Sequence, residues 1–311
     1  MLLKIKALVS GLATYFPHRD LAGETGGTDS ARYCYSVWLR HLRGAHASGR
    51  ILRHPRTVAE LGPGDSIGIG LAALLSGAER YFALDVVRYS DLAGSQQIFE
   101  ELVGLFKARA PIPGDDELPG VYPKLRSYEF PRDLLGESHL QAALEPARVS
   151  SIRESLRDLD APCGRIRYLA PWTDEKAIAE RSIDLIYSQA VLEHVDNLSQ
   201  AYRSMRRWVG VTGVMSHQID YRCHGKADEW NGHWSYSDAA WKIVVGRRPY
   251  LLNRAPHSEH VRLLRESGFD LAGVDLQRAA ALPRSRLARR FRDLSNEDLT
   301  TCGAYIVASP C

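Results

Sequence analysis

Short runs rich in β-branched and aromatic residues alternate along this chain with longer stretches whose apolar residues recur at helical spacing. The strand-like runs are Thr57–Leu61, Tyr81–Leu84, Arg165–Leu169, Ile183–Tyr187, Val214–Ile219, Phe269–Leu276 and Cys302–Ser309. Helices are predicted between them over Ile67–Ser76, Ser95–Ala108, Ser150–Leu159, Asn197–Val209 and Pro256–Ser267. This alternation predicts an α/β protein built on a doubly wound, mainly parallel sheet of about seven strands. Ile183–Tyr187 reads as a fully buried strand, apolar except for Asp184.

Two stretches depart from the alternation. Residues 1–56 precede the first strand and read as an N-terminal helical segment. Within it, Cys34, Val37, Trp38 and Leu42 make one apolar stripe of a helix over Ala31–Leu42, with Asp29 or Ser30 as its cap. The start, MLLKIKALVSGLATYF, suits a short amphipathic helix, packed on its own domain or laid on a membrane surface. Residues 88–161 form an insertion after the second strand, longer than a βαβ connection needs, with a proline-rich loop, APIPGDDELPGVYP. We expect it at the rim of the cleft, as a lid or as structural cover, within a core that spans 57–311.

The chemistry concentrates at the ends of the strands. Gly62-Pro63-Gly64 lets a ligand approach bare backbone, and Asp65 or Ser66 can cap the helix that Gly77 ends. Glu60 lies two residues before Gly62, where a charged carboxylate would repel a pyrophosphate but suit an ammonium or sulfonium. The second strand delivers Asp85 to the carboxyl edge of the sheet, where nucleotides bind. The fourth strand breaks at Ser188-Gln189, which can line the same cleft, and runs on as AVLEHV.

Glu-x-Gly-x-Gly with Asp85 one strand later, together with SIDLIYSQAVLEHV, resembles motifs of the class I S-adenosylmethionine-dependent methyltransferases, in their small-molecule branch. The third glycine of the usual pattern is Ser66 here, with Gly68 beyond it. The resemblance covers about Thr57–Val87 and Tyr168–Ser309. It implies a Rossmann-like sheet whose last strand inserts antiparallel between the fifth and sixth. It implies S-adenosylmethionine as cofactor, held by Glu60, Gly62, Gly64, Asp85, Val86, Ser188 and Gln189. Asp85 would take both ribose hydroxyls, and Trp172 would sit near the adenine. A looser likeness, through MSHQIDYR and the later YSD…W segment, points to methyltransferases that modify sugars and bacterial surface glycans. No Asn-Pro-Pro-Tyr type motif follows the fourth strand, which argues against methylation of nucleobase amino groups.

His217, Gln218, Asp220, Arg222 and His224 crowd the end of the fifth strand. A sugar hydroxyl is a poor nucleophile until its proton is taken, and His194, His217 and Asp220 are the candidates to take it. Trp230, Trp234, Tyr236 and Trp241 follow among polar residues and suit stacking on a sugar ring. We therefore expect O-methylation of a sugar or another polyhydroxylated small molecule. Phenolic or lipid acceptors, a nicotinamide-dependent oxidoreductase and a non-catalytic cofactor-binding scaffold are the alternatives. His217, Asp220 and His224 would straddle a strand end and a loop as metal ligands, so no metal site is expected.

Composition narrows this further. A net charge of +3 over 311 residues makes no case for nucleic acid as a partner, leaving a small-molecule or glycan acceptor, in an open oligomeric state. Cys34, Cys163, Cys223, Cys302 and Cys311 are scattered without a CxxC pair and read as reduced thiols of a cytoplasmic protein. No apolar run is long enough for a membrane span, and the first residues lack a signal-peptide cleavage pattern. The arginine-rich RSRLARRFRD is expected as a solvated helix face or a contact for an anionic substrate.

Overall fold

The computed structural model describes residues 2–16, 27–159, 161, 164–172 and 175–311. Its strands are β1 (Thr57–Leu61), β2 (Arg80–Leu84), β3 (Ile166–Leu169), β4 (Ile183–Gln189), β5 (Val209–Asp220), β6 (Phe269–Arg278) and β7 (Thr301–Pro310). They form one seven-stranded sheet in the order β3-β2-β1-β4-β5-β7-β6. Strands β1 to β5 run parallel, and β7 lies antiparallel between β5 and β6. The α/β class, the strand count and the inserted last strand are as expected. Asp184, the polar residue in an otherwise apolar β4, accepts hydrogen bonds from the Arg56 and Thr57 amides at 2.8 Å each and so fixes the entry into β1.

Two layers of helix cover the sheet. On one face lie α2 (Ala31–Ala47), α3 (Gly68–Leu75), α4 (Leu92–Ala108), α5 (Glu137–Ala143) and α6 (Pro146–Ser155), which share a core with the inner residues of β1, β2 and β3. The other face is covered by α7 (Leu198–Trp208) and α9 (His257–Glu266), through Tyr202, Met205, Trp208 and Leu264. Ser30 caps α2, its hydroxyl accepting from the Tyr33 amide.

The insertion is structural cover. Ile98, Phe99, Leu102, Phe106, Val149 and Ile152 are all buried in the main core. The fully buried Arg40 guanidinium of α2 donates to the carbonyls of Pro113, Val121 and Pro123 at 3.1, 3.2 and 2.7 Å, tying the proline-rich loop to the domain. Among the described residues of this stretch, Tyr89 near its start is the one that lines the cavity described below.

Three helices went unread in the sequence: α5, a short α8 (Asp238–Val245) and a single turn, α10 (Asn296–Thr300). An amphipathic α1 (Leu2–Ala13) packs against α8, where Gly11 is obligatory: a Cβ there would stand 1.9 Å from the Ile243 carbonyl oxygen. The arginine-rich run corrects another expectation, forming two short turns at Arg284–Arg286 and Arg289–Phe291 instead of a helix. Among the described residues no helix is long and apolar enough to cross a membrane. Cys34, Cys223, Cys302 and Cys311 are free thiols; Cys163 lies outside the described residues.

Candidate functional site

The sheet order reverses between β1 and β4, which pair with Leu61 opposite Ser188. At such a switch point the connections leave in opposite directions and open a crevice beyond the strand ends. A cavity of about 640 Å³ occupies that crevice. Its floor is Leu61, Gly62 and Gly64 after β1, Asp85 and Val86 after β2, and Gln189 at the end of β4. Ser10 of α1, Thr14 just beyond it and the Arg248–Leu251 loop line the same cavity.

The glycine turn is shaped by close approach. Gly62 and Gly64 have φ of +63° and +78°, and a Cβ on Gly62 would meet the Val191 side chain at 2.7 Å. The start of α3 is already satisfied from within. The Ser66 amide donates to Thr28 Oγ1 at 2.8 Å, the Gly68 amide to Ser66 Oγ at 3.1 Å, and the Ile67 amide to Ser95 Oγ at 3.4 Å. The N-cap position itself is Ile67, not Asp65 or Ser66, although the Ser66 hydroxyl serves the first turn. A pyrophosphate normally takes such helix-start amides. Here serine and threonine oxygens hold those of Ser66, Ile67 and Gly68.

Asp85 stands on the cavity floor with its carboxylate fixed from two sides. Oδ1 accepts from the Val86 amide at 2.7 Å and Oδ2 from the Tyr168 hydroxyl at 3.2 Å. Burial raises its pKa, while those hydrogen bonds pull it back toward the ordinary range. Trp172 also lines the cavity, its amide bonded to the Asp85 carbonyl at 2.9 Å. Gln189 is held by a buried relay. His41 contacts Gln189 Oε1 at 3.1 Å and Ser216 Oγ at 2.7 Å, and Ser216 in turn meets the Tyr305 hydroxyl. Burial lowers the His41 pKa to about 4, so the ring is neutral. Tyr168 and His41 were not singled out in the sequence, because neither lies in a motif.

Four expected site residues are placed off the wall. Glu60 points beneath the floor, where the hydroxyls of Tyr81 and Tyr187 donate to Oε2 at 2.6 and 3.2 Å. Burial raises its pKa to about 8 despite those bonds, so it is a largely protonated brace rather than an exposed anion. Ser188 and His217 are buried together, with Ser188 Oγ 2.8 Å from His217 Nδ1. Burial lowers the His217 pKa to about 3. Asp220 does not line the cavity; it braces Arg222 at 3.1 Å and stands 3.4 Å from His224 Nε2. Burial alone would raise its pKa, but His224 and the amide and guanidinium of Arg222 outweigh that and lower it.

His194 is the expected catalytic residue that faces the cavity. Its Nδ1 lies 2.8 Å from the Tyr250 carbonyl, which can only accept, so Nδ1 carries the hydrogen and Nε2 keeps its lone pair. Burial lowers its pKa, with the neighbouring His224 adding to the effect. The His224 ring lies 5.2 Å from it and lines the same wall. Ala190, His224 and Tyr250, all on the wall, have φ of 54°, 45° and 59°, left-handed values that non-glycine residues seldom hold. The aromatic loop corrects the sequence reading. Trp234 and Trp241 are buried in satellite cores, and Trp230 donates to the Ala280 carbonyl at 2.7 Å; none of the three lines the cavity.

Fold and cleft together define a doubly wound α/β protein with a nucleoside-sized site at its switch point. No protein-family model matches the chain, and no curated protein matches it. Among solved structures it is similar to an S-adenosylmethionine-dependent methyltransferase from Mesorhizobium loti, at 13% identity over 86% of this chain and 97% of that one, with a TM-score of 0.42. A methyltransferase from Methanosarcina mazei matches at 12% identity over 85% and 96%, TM-score 0.44. The cyclase SpnF matches at 13% identity over 99% and 95%, TM-score 0.39.

Proposed function

We propose that the protein is an S-adenosylmethionine-dependent methyltransferase acting on a hydroxyl of a sugar or another polyhydroxylated small molecule. The observation that carries this reading is the pairing of a floor carboxylate, Asp85, with a glycine turn after which the Ser66, Ile67 and Gly68 amides entering α3 are already held by Thr28, Ser95 and Ser66. That combination favours a nucleoside whose ribose diol meets Asp85 and which brings no pyrophosphate to the helix. It replaces the argument from Glu60, which is buried and largely neutral. Trp172 and Tyr89 supply aromatic surface for the adenine on the same wall.

The cofactor supplies a methyl carbon that an acceptor oxygen displaces from sulfur, the C–S electron pair staying on the sulfur. The chain's part is alignment and the handling of the acceptor's proton. Ser10, Thr14, Asn197 and Arg248 line the cavity with hydrogen-bonding groups suited to a hydroxyl-rich acceptor. The imidazoles of His194 and His224 are the wall groups positioned to deal with the proton. Calorimetry tests the reading: S-adenosylhomocysteine should bind and NAD should not. Binding of NAD in preference would overturn it. Turnover of S-adenosylmethionine on polyols and glycans, against phenols and lipids, tests the acceptor class.

A further inference from the structure

Glu193 follows β4 on a short turn, Leu192–His194, and is 3% exposed. Neither of its carboxylate oxygens has a hydrogen-bond partner of good geometry. A buried carboxyl group left this way is costly unless something else partners it. Two imidazoles stand beside it. One ligand atom from each of Glu193, His194 and His224 lies within 4.8 Å of the other two. The Nδ1 hydrogen of His194 is committed to the Tyr250 carbonyl, which orients the ring and leaves Nε2 free. Ligating histidines are commonly held by an outer acceptor in this way. His224 Nε2 also lacks a well-aligned partner, with Asp220 Oδ2 at 3.4 Å as its outer neighbour.

We propose that Glu193, His194 and His224 bind a divalent transition-metal ion on the cavity wall. Side-chain rotation closes a spread of 4.8 Å onto an ion about 2.1 Å from each ligand. Two imidazoles and one carboxylate favour an ion such as Zn²⁺ over Mg²⁺, which prefers oxygen ligands alone. Three protein ligands leave coordination positions open. An acceptor hydroxyl entering one of them would become more acidic, its proton passing to water as the new C–O bond forms, in place of direct transfer to His194 or His224, whose lone pairs the ion would hold. That use of the ion rests on the methyl-transfer reading; its binding does not. The sequence missed the group because Glu193 and His224 come from different strand ends that only the sheet brings together.

The test is calorimetric titration of chelator-stripped, full-length protein with Zn²⁺ alone. We expect a single saturable site of micromolar affinity or tighter, weakened at least about hundredfold in each of Glu193→Gln, His194→Ala and His224→Ala. Co²⁺ should give visible ligand-field bands in the wild type that these variants lose. His139→Ala, which breaks the separate imidazole pair with His54 at 4.8 Å, should bind as the wild type does. Absence of a saturable site, wild-type affinity in the three variants, or loss in His139→Ala instead would overturn the proposal. Mg²⁺ binding as tightly as Zn²⁺ would overturn the choice of ion. Thermal unfolding without metal checks that each variant folds, and the part-exposed His224→Ala carries the test if Glu193→Gln does not. Titration with S-adenosylhomocysteine separates the two ideas. Its binding without Zn²⁺ binding sinks the metal site alone, and the converse sinks the methyl-transfer reading alone.

Discussion

Replacing Glu60 by glutamine should flatten the pH dependence of stability. The folded protein holds the Glu60 proton up to about pH 8, whereas an unfolded chain releases it near the ordinary value of 4.5. Folding therefore takes up a proton between those limits, and stability falls as pH rises through the window. Each pH unit well inside it is worth about 1.36 kcal/mol. From about pH 6 to about pH 8, with partial ionisation near the top, the wild type should lose about 2 kcal/mol through this residue. Glutamine keeps an acceptor for the hydroxyls of Tyr81 and Tyr187, bonded at 2.6 and 3.2 Å, and cannot ionise. Its amide faces the Gly70 amide less well than a carboxyl oxygen does, so it should start about 1 kcal/mol less stable at the acid end. The stability difference between variant and wild type should then move by about 2 kcal/mol in the variant's favour across the window. Urea unfolding followed by tryptophan fluorescence measures it. A difference constant to within about 0.5 kcal/mol would refute the buried, protonated state. The same variant should bind S-adenosylhomocysteine within about threefold of wild type, because Glu60 lies off the wall. A tenfold loss would restore it as a direct cofactor contact.

Asp85→Ala should weaken S-adenosylhomocysteine binding by roughly tenfold to hundredfold with little change in melting temperature; unchanged affinity would remove it from the site. His217→Gln should lower thermal stability but leave kcat within about threefold of wild type, whereas His194→Ala should cost roughly hundredfold or more. Equal losses in the two would place His217 in the chemistry after all. Arg40→Leu should destabilise the fold by about 3–5 kcal/mol, because it strands the buried carbonyls of Pro113, Val121 and Pro123. Chemical denaturation showing less than about 1 kcal/mol would mean the proline-rich loop is anchored some other way.

Local pattern alone determined the α/β class, the strands and the principal helices, because each rests on periodicity within a few neighbouring residues. Val58 and Ala59 alternate into opposite cores, and Tyr202, Met205 and Trp208 fall on one helical face, as their spacing requires. The position of Gly62, Gly64, Asp85, Val86, Gln189 and His194 on the cavity wall was likewise legible, since the end of a parallel strand in a doubly wound sheet faces the crevice. Side-chain direction and burial at those ends were not. Strand alternation decides whether an acid faces the cavity or the layer beneath, and the aromatic layer of Tyr81 and Tyr187 took Glu60 inward. Ser188 and His217 likewise sealed each other in, across the β4–β5 pairing. The tryptophans after β5 looked like ligand surface in sequence, but large apolar rings near α8 and the chain's last turns found more area to bury there. Tertiary structure also decided what no spacing reveals: Thr28 closing the start of α3, Tyr168 steadying Asp85, and Glu193 meeting His194 and His224. Those contacts join residues far apart in the chain, so they exist only once the sheet has set its strands side by side.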